Sequence, residues 1–227
     1  MRPLLILRPQ PGADATAARA SAIGLRPVIA PLFAIRALPW TCPQAAFEAV
    51  ILTSANAARC GGDGMTSLRH LPCHAVGEAT AQAARAAGFT DVRTGPADGA
   101  ALIAAMRADG IASALHLCGA DRTDLAPAGI AIVEIPVYAA DPVDRLPEAA
   151  KAALERGAVA LLHSSRAATL FARLADAWRT RTRIAAISPA AAQAAGAGWA
   201  DIAIAQRPRD EALLELAAKL CQTGDDE

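Results

Sequence analysis

The chain has 227 residues, 54% of them apolar and 19% charged, which is enough to pack one large or two small cores. Its 22 basic side chains are matched by 22 acidic ones, so bulk charge gives no hold on nucleic acid or an anionic membrane, and any anionic ligand must be met by local geometry. No apolar run approaches the ~20 residues that span a bilayer, and Arg8-Pro9 interrupts the first apolar stretch before a leader can form, so a cytoplasmic protein with no membrane partner is expected.

Leu4-Leu5-Ile6-Leu7 reads as a short buried strand closing at Arg8-Pro9, and an alanine-rich helix is predicted over 13–23, stopped by Gly24. A second strand is predicted over 27–35, where the internal Pro31 suits an edge or a chain leaving its sheet. A break over 39–43 and a helix over 44–49 come next. Val50-Ile51-Leu52 then passes abruptly into Thr53-Ser54-Ala55-Asn56-Ala57, which reads as strand, turn and helix. Thr53, Ser54 and Asn56 are the residue types that cap a helix start, where free backbone N–H groups favour an anion. Gly61-Gly62-Asp63-Gly64 follows a helix and has no lysine behind it, so it is read as a surface connection rather than a phosphate loop.

A strand over 74–77, a helix over 78–87 stopped by Gly88, and a strand remnant over 91–93 follow. The helix over 100–108 carries Leu102, Ile103 and Met106 on one face. Strands over 115–117, 130–133, 159–162 and 183–187 alternate with helices over 147–155, 167–178, 190–195 and 211–220. Short apolar strands separated by helices predict an α/β fold with parallel sheets covered on both faces.

The turn at 53–57 has a near copy. Leu161-Leu162-His163-Ser164-Ser165 places Ser164 over Ser54 and Ala167-Ala168 over Ala57-Ala58. Further along, Ala75-Val76-Gly77 is echoed by Ala186-Ile187-Ser188, Gly88-Phe89 by Gly198-Trp199, and Pro31-Leu32-Phe33-Ala34 by Pro136-Val137-Tyr138-Ala139. The non-alanine matches keep the same order in both halves, which predicts two similar α/β units.

Five cysteines, an odd number with no C-x-x-C pair, argue against a disulfide framework and against a zinc ribbon. His70, Cys73 and His74, with Cys60 upstream, have metal-ligand chemistry but no fourth ligand at a recognisable spacing, so no metal is expected.

The strand ending in Arg8-Pro9, the turn Thr53-Ser54-Ala55-Asn56-Ala57, the run from Ala75 through Gly77 to Gly88-Phe89, Val137-Tyr138, and the late Ser164-Ser165 and Ile187-Ser188-Pro189 turns together resemble the uroporphyrinogen-III synthase family. The resemblance follows the family's order over nearly the whole chain. It implies two similar small parallel-sheet domains joined by a two-strand linker, with substrate bound in the cleft between them. One domain would be discontinuous, formed by 1–36 plus 142–227; the other would cover 37–138, with linkers near 32–37 and 137–141. Prolines at 31, 39, 136 and 142 flank those crossings.

The resemblance further implies cyclisation of hydroxymethylbilane to uroporphyrinogen III, with inversion of the last ring, loss of water and no cofactor. Tyr138, the sole tyrosine, becomes the expected catalytic group, assisting departure of the hydroxyl. Arg8, Thr53, Ser54, Ala55, Asn56, Gly77, Ser164, Ser165 and Ser188 become the expected substrate contacts, meeting the acetate and propionate arms. The substrate is a small molecule, nucleic acid is not a partner, and a monomer is expected.

The chain departs from the family at Pro189-Ala190-Ala191, where a threonine pair is common, and at Cys118, where arginine is common and Arg122 is the nearby substitute. His116 and His163 stand at strand ends, but the family pattern requires neither, so they are not counted among the site residues. The alternative from a different class is a non-catalytic two-domain binding protein closing on a small anion.

Overall fold

The structure is a computed structural model, and it describes residues 1–95, 99–122 and 125–222. In chain order, its first half runs β1 (Leu4–Ile6), α1 (Gly12–Ala22), β2 (Pro27–Ile29), β3 (Phe33–Ala37), β4 (Ala49–Leu52), α2 (Ala55–Cys60), β5 (Cys73–Val76), α3 (Glu78–Ala86), β6 (Val92–Gly95) and α4 (Gly99–Ala108). The second half runs β7 (Ser113–Gly119), β8 (Ala131–Pro142), α5 (Glu148–Glu155), β9 (Val159–Leu162), α6 (Ser165–Leu174), β10 (Arg183–Ala186), α7 (Pro189–Ala195), β11 (Asp201–Ile204) and α8 (Asp210–Gln222). Two compact units result, one of Met1–Ala34 with Pro142–Glu227 and one of Ile35–Asp141.

In the first unit the strands lie in the order β11-β10-β9-β1-β2, and each of these pairings is parallel. The central strands β1 and β9 are buried on both faces, which is why they read as unbroken apolar runs rather than alternating ones. One face packs Leu4, Ile6, Val159 and Leu161 against Ala13, Ala17 and Ala20 of α1 and Leu213 and Leu214 of α8. Alanine on α1 lets that helix lie close to the sheet. On α6, Phe171 stacks on Trp199 with ring centroids 5.3 Å apart.

In the second unit the order is β3-β8-β7-β4-β5-β6, with β4, β5, β6, β7 and β8 joined by parallel pairings. The two-residue period of β4 divides its side chains between two cores. Val50 and Leu52 join Leu115, Leu117, Ala57 and Phe89 on one face, while Ala49 and Ile51 meet Leu102, Ile103 and Met106 of α4 on the other. Where β3 meets β8, Leu38 N–H donates to Val137 O at 2.9 Å and Arg36 grips Asp141 at 2.7 and 3.1 Å.

Several boundaries differ from the sequence reading. The strand expected over 27–35 divides at Pro31 into β2 and β3, which belong to different sheets. Pro136 does not interrupt β8, because the ladder to β7 absorbs it and then shifts register between Cys118 and Gly119. No helix forms over 44–49: the few residues after Pro43 are too short to nucleate one, and Glu48 Oε2 instead accepts from Ala112 N and Ser113 N at 2.6 and 3.2 Å. The helix expected over 167–178 ends at Leu174 and continues as a tighter turn over Asp176–Arg181, and a tight turn over Gly62–Leu68 occupies the expected loop. β11, with only four residues, lies outside the strands that the apolar runs predict.

Candidate active site

At the C-terminal ends of the second unit's strands lies a hollow of about 540 Å³. Thr53 and Ser54 follow β4, Val76 ends β5, Gly119 ends β7, Arg122 follows it, and Tyr138 projects from β8; all six line the hollow. Parallel strands place their carboxyl ends on one edge, so the residues that change from apolar to polar there converge without being close in sequence. Of the expected site residues, Thr53, Ser54 and Tyr138 meet in this hollow.

Tyr138 lies half-buried against the apolar cluster of Leu115, Leu117 and Val137. Its register partner is Gly119, and a Cβ at 119 would come within 2.8 Å of the ring Cζ and 2.9 Å of the phenol oxygen. Glycine there is what leaves room for the outer end of the ring. Ala120 N–H donates to Tyr138 O at 2.8 Å, fixing the backbone, and no described residue hydrogen-bonds the phenol oxygen.

Thr53 is held by a chain of polar groups that the sequence reading did not assemble. Its Oγ1 lies 3.0 Å from His116 Nε2, His116 Nδ1 lies 3.0 Å from Glu134 Oε1, and Arg122 Nε donates to Glu134 Oε2 at 2.8 Å while Nη2 also contacts that oxygen. His116 is 1% exposed, and burial lowers its pKa against the opposing pull of Glu134. The Arg122 guanidinium holds the Glu134 carboxyl below its ordinary range. His116 and Glu134 are cross-strand partners on β7 and β8. Burial also pushes the Cys118 thiol up to about 11, so the charge that arginine would bring at 118 is absent there, and Arg122 supplies a guanidinium nearby.

The expected serine turns are helix caps. Ser54 Oγ accepts from Asn56 N at 3.2 Å, Ser164 Oγ from Ala167 N at 3.2 Å and Ser188 Oγ from Ala191 N at 3.3 Å, each from an extended backbone. In each case the cap bond occupies a lone pair and leaves the hydroxyl proton to donate elsewhere. Ala55 and Asn56 open α2, and Ser165 is the exposed first residue of α6. Gly77 precedes α3 with φ +73°, a conformation that favours glycine.

Arg8 in the first unit is already paired. Its Nη1 donates to Thr16 Oγ1 at 3.3 Å and lies 3.6 Å from Asp210 Oδ1. Asp210 also accepts from Thr16, from Arg19 Nε at 3.0 Å and from His163 Nε2 at 2.7 Å. Burial alone would raise its pKa, but the His163 and Arg19 bonds outweigh that and hold it well below the carboxylate range. His163 is pushed down by burial, and its Nδ1 has no hydrogen-bond partner among the described residues.

Cys73 and His74 are neighbours on β5, so strand alternation sends them to opposite faces and they cannot share an ion. Burial pushes the Cys73 thiol up to about 12, away from the thiolate a metal requires. Among the described residues no cluster of three His, Cys, Asp or Glu side chains fits a metal ion.

Two parallel-sheet α/β units carry capped polar turns at their strand ends, and the second unit opens there on a hollow of ligand size. Residues 14–215 match the family described as uroporphyrinogen-III synthase HemD, and the chain belongs to that family. The fold is similar to that of uroporphyrinogen-III synthetase from Helicobacter pylori, with 20% identity, a TM-score of 0.67, and coverage of 97% of this chain and 100% of the other. A mutant uroporphyrinogen III synthase from the extremely thermophilic bacterium Thermus thermophilus is similar at 18% identity and a TM-score of 0.51, again over 97% of this chain and 100% of that one. No curated protein sequence matches the chain.

Proposed function

We propose that the chain catalyses the uroporphyrinogen-III synthase reaction of haem biosynthesis, acting as a lyase that closes hydroxymethylbilane with inversion of the last pyrrole ring and loss of water. The family match over residues 14–215 carries this reading. The substrate loses its terminal hydroxyl readily and also closes unaided to the uninverted isomer. The protein therefore has mainly to hold one conformation and restrain the competing route, which calls for positioned donors and acceptors more than for strong acids or bases.

In the hollow of the second unit, the Tyr138 phenol donates a hydrogen bond to the departing hydroxyl, easing its release as water. Ser54 offers its remaining proton to a carboxylate arm, with Ala55, Asn56 and Gly77 flanking it as further contacts. Within the first unit, Ser164, Ser165 and Ser188 offer hydroxyls to a carboxylate arm, and Arg8 is a further contact there, already paired with Asp210. The chemistry needs neither metal nor organic cofactor. Five free thiols favour the cytoplasm, and balanced charge favours a monomer with no nucleic-acid partner. Among the described residues, no helix is long and apolar enough to cross a membrane. The test is to add purified protein to freshly generated hydroxymethylbilane and resolve the products. Type III uroporphyrinogen supports the reading, and type I alone overturns it.

A further inference from the structure

The polar chain behind Thr53 fixes not only where its hydroxyl lies but which way the proton points. Arg122 can only donate, and it engages Glu134 Oε2 at 2.8 Å, so Glu134 stands as an ionised carboxylate with Oε1 turned to His116. A carboxylate can only accept, so the His116 Nδ1 that lies 3.0 Å away carries a proton. The ring is 1% exposed, and burial favours its neutral form, so Nε2 is left with a bare lone pair. Thr53 Oγ1, 3.0 Å from that lone pair, must be the donor. What Thr53 then presents to the hollow is lone pairs alone.

Its neighbour has the opposite polarity. Ser54 Oγ accepts from Asn56 N and keeps its proton to give. A carboxylate arm suits Ser54 and is repelled by Thr53, since two acceptors at hydrogen-bond distance share no proton. The donors of hydroxymethylbilane are its pyrrole N–H groups and its single terminal hydroxyl; the hydroxyl departs in the reaction, so the N–H groups are the donors that persist through it. Building on the function proposed above, we infer that Thr53 accepts a hydrogen bond from a pyrrole N–H of the substrate, and that His116 and Glu134 are positioning residues that hold Thr53 in this orientation. This reverses the role expected of Thr53 from sequence, where it was to donate to an acetate or propionate arm.

The chain has four histidines, so isotope labelling resolves the relevant ring. In protein labelled with 15N-histidine at pH 7.5, two-bond 15N–1H correlation should show His116 as the Nδ1–H tautomer. Glu134→Gln should invert it. Arg122 only donates, so the glutamine oxygen must face Arg122 and its NH2 must face His116 Nδ1, which forces the proton to Nε2 and turns the Thr53 proton into the hollow. KM for hydroxymethylbilane should then rise about tenfold with little change in kcat, because the lost contact serves ground and transition states alike. Thr53→Val should raise KM similarly while leaving the ion pair in place.

A wild-type Nε2–H tautomer or imidazolium, a tautomer unmoved by Glu134→Gln, or an unchanged KM in Thr53→Val would each overturn the inference. Failure of the wild-type protein to make type III product would refute the proposed function instead. The tautomer measurement needs no turnover and still decides the orientation of Thr53.

Discussion

Gly119→Ala tests whether the position of the Tyr138 phenol matters. The new Cβ would fall 2.8 Å from Cζ and 2.9 Å from the phenol oxygen, where ordinary contact begins near 3.4 Å, so the ring has to move by 3.4 − 2.8, or about 0.6 Å. Gly119 itself is not at positive φ, so alanine brings no backbone strain. The ring borders the hollow and can yield into it. The stability cost should therefore lie near the low end of the ~1–3 kcal/mol typical of overpacking, a fall in Tm of about 2–4 °C for a chain of this size. Catalysis should suffer more, since a shift approaching 1 Å in a reacting group costs up to about 10²-fold. Thermal melts and initial rates of type III formation separate the two effects. In a Tyr138→Phe background, Gly119→Ala should cost little further turnover, because the group it displaces is already gone. Wild-type turnover in the Gly119→Ala single variant would refute a catalytic role for the phenol.

Tyr138→Phe alone should lower kcat toward or below the bottom of the ~10²–10⁴-fold range of general acid assistance, because the leaving group departs easily; unchanged kcat and isomer yield would return Tyr138 to a packing role. Asp210→Ala should destabilise the fold by about 3–5 kcal/mol in urea melts, because it leaves Arg19, Arg8 and His163 around an unfilled site; a cost near zero would show that the cluster is merely superficial. Stability should also fall with pH below 6.5. The unfolded chain protonates His163 and His116 at that ordinary value, while burial keeps the folded rings neutral to lower pH, so folding loses ground as pH drops; equal urea midpoints at pH 7.5 and 5.5 would contradict this. Type III formation should survive exhaustive EDTA treatment, and a loss restored by zinc would contradict a cofactor-free reaction.

The α/β class was legible because each buried strand is a short apolar run flanked by an alanine-rich helix, and the turns at Ser54, Ser164 and Ser188 were legible because a cap is a local matter of one side chain and the next three amides. The relay behind Thr53 was not. It depends on His116 and Glu134 facing each other across β7 and β8, and the sequence reading ended that strand at Val133, one residue short of Glu134. Register is set by pairing across long separations, and nothing within reach of Glu134 along the chain announces it. The same limit hid Asp210, which reaches His163 from 47 residues away. The strand over 27–35 is a different case: Pro31 signals a departure from a sheet, but nothing local in residues 32–37, which read as a linker, tells which sheet takes up the chain beyond it.

The most direct test of the proposed reaction is a titration of substoichiometric protein against fixed, freshly generated hydroxymethylbilane, with the ratio of type III to type I uroporphyrinogen read after oxidation and chromatography. A restraining catalyst should drive nearly all substrate to type III at a small fraction of one equivalent, with the ratio rising as protein increases against the fixed rate of unaided closure. Type I product at every concentration, or type III that never exceeds one molecule per molecule of protein, would contradict catalysis and leave a binding protein in its place.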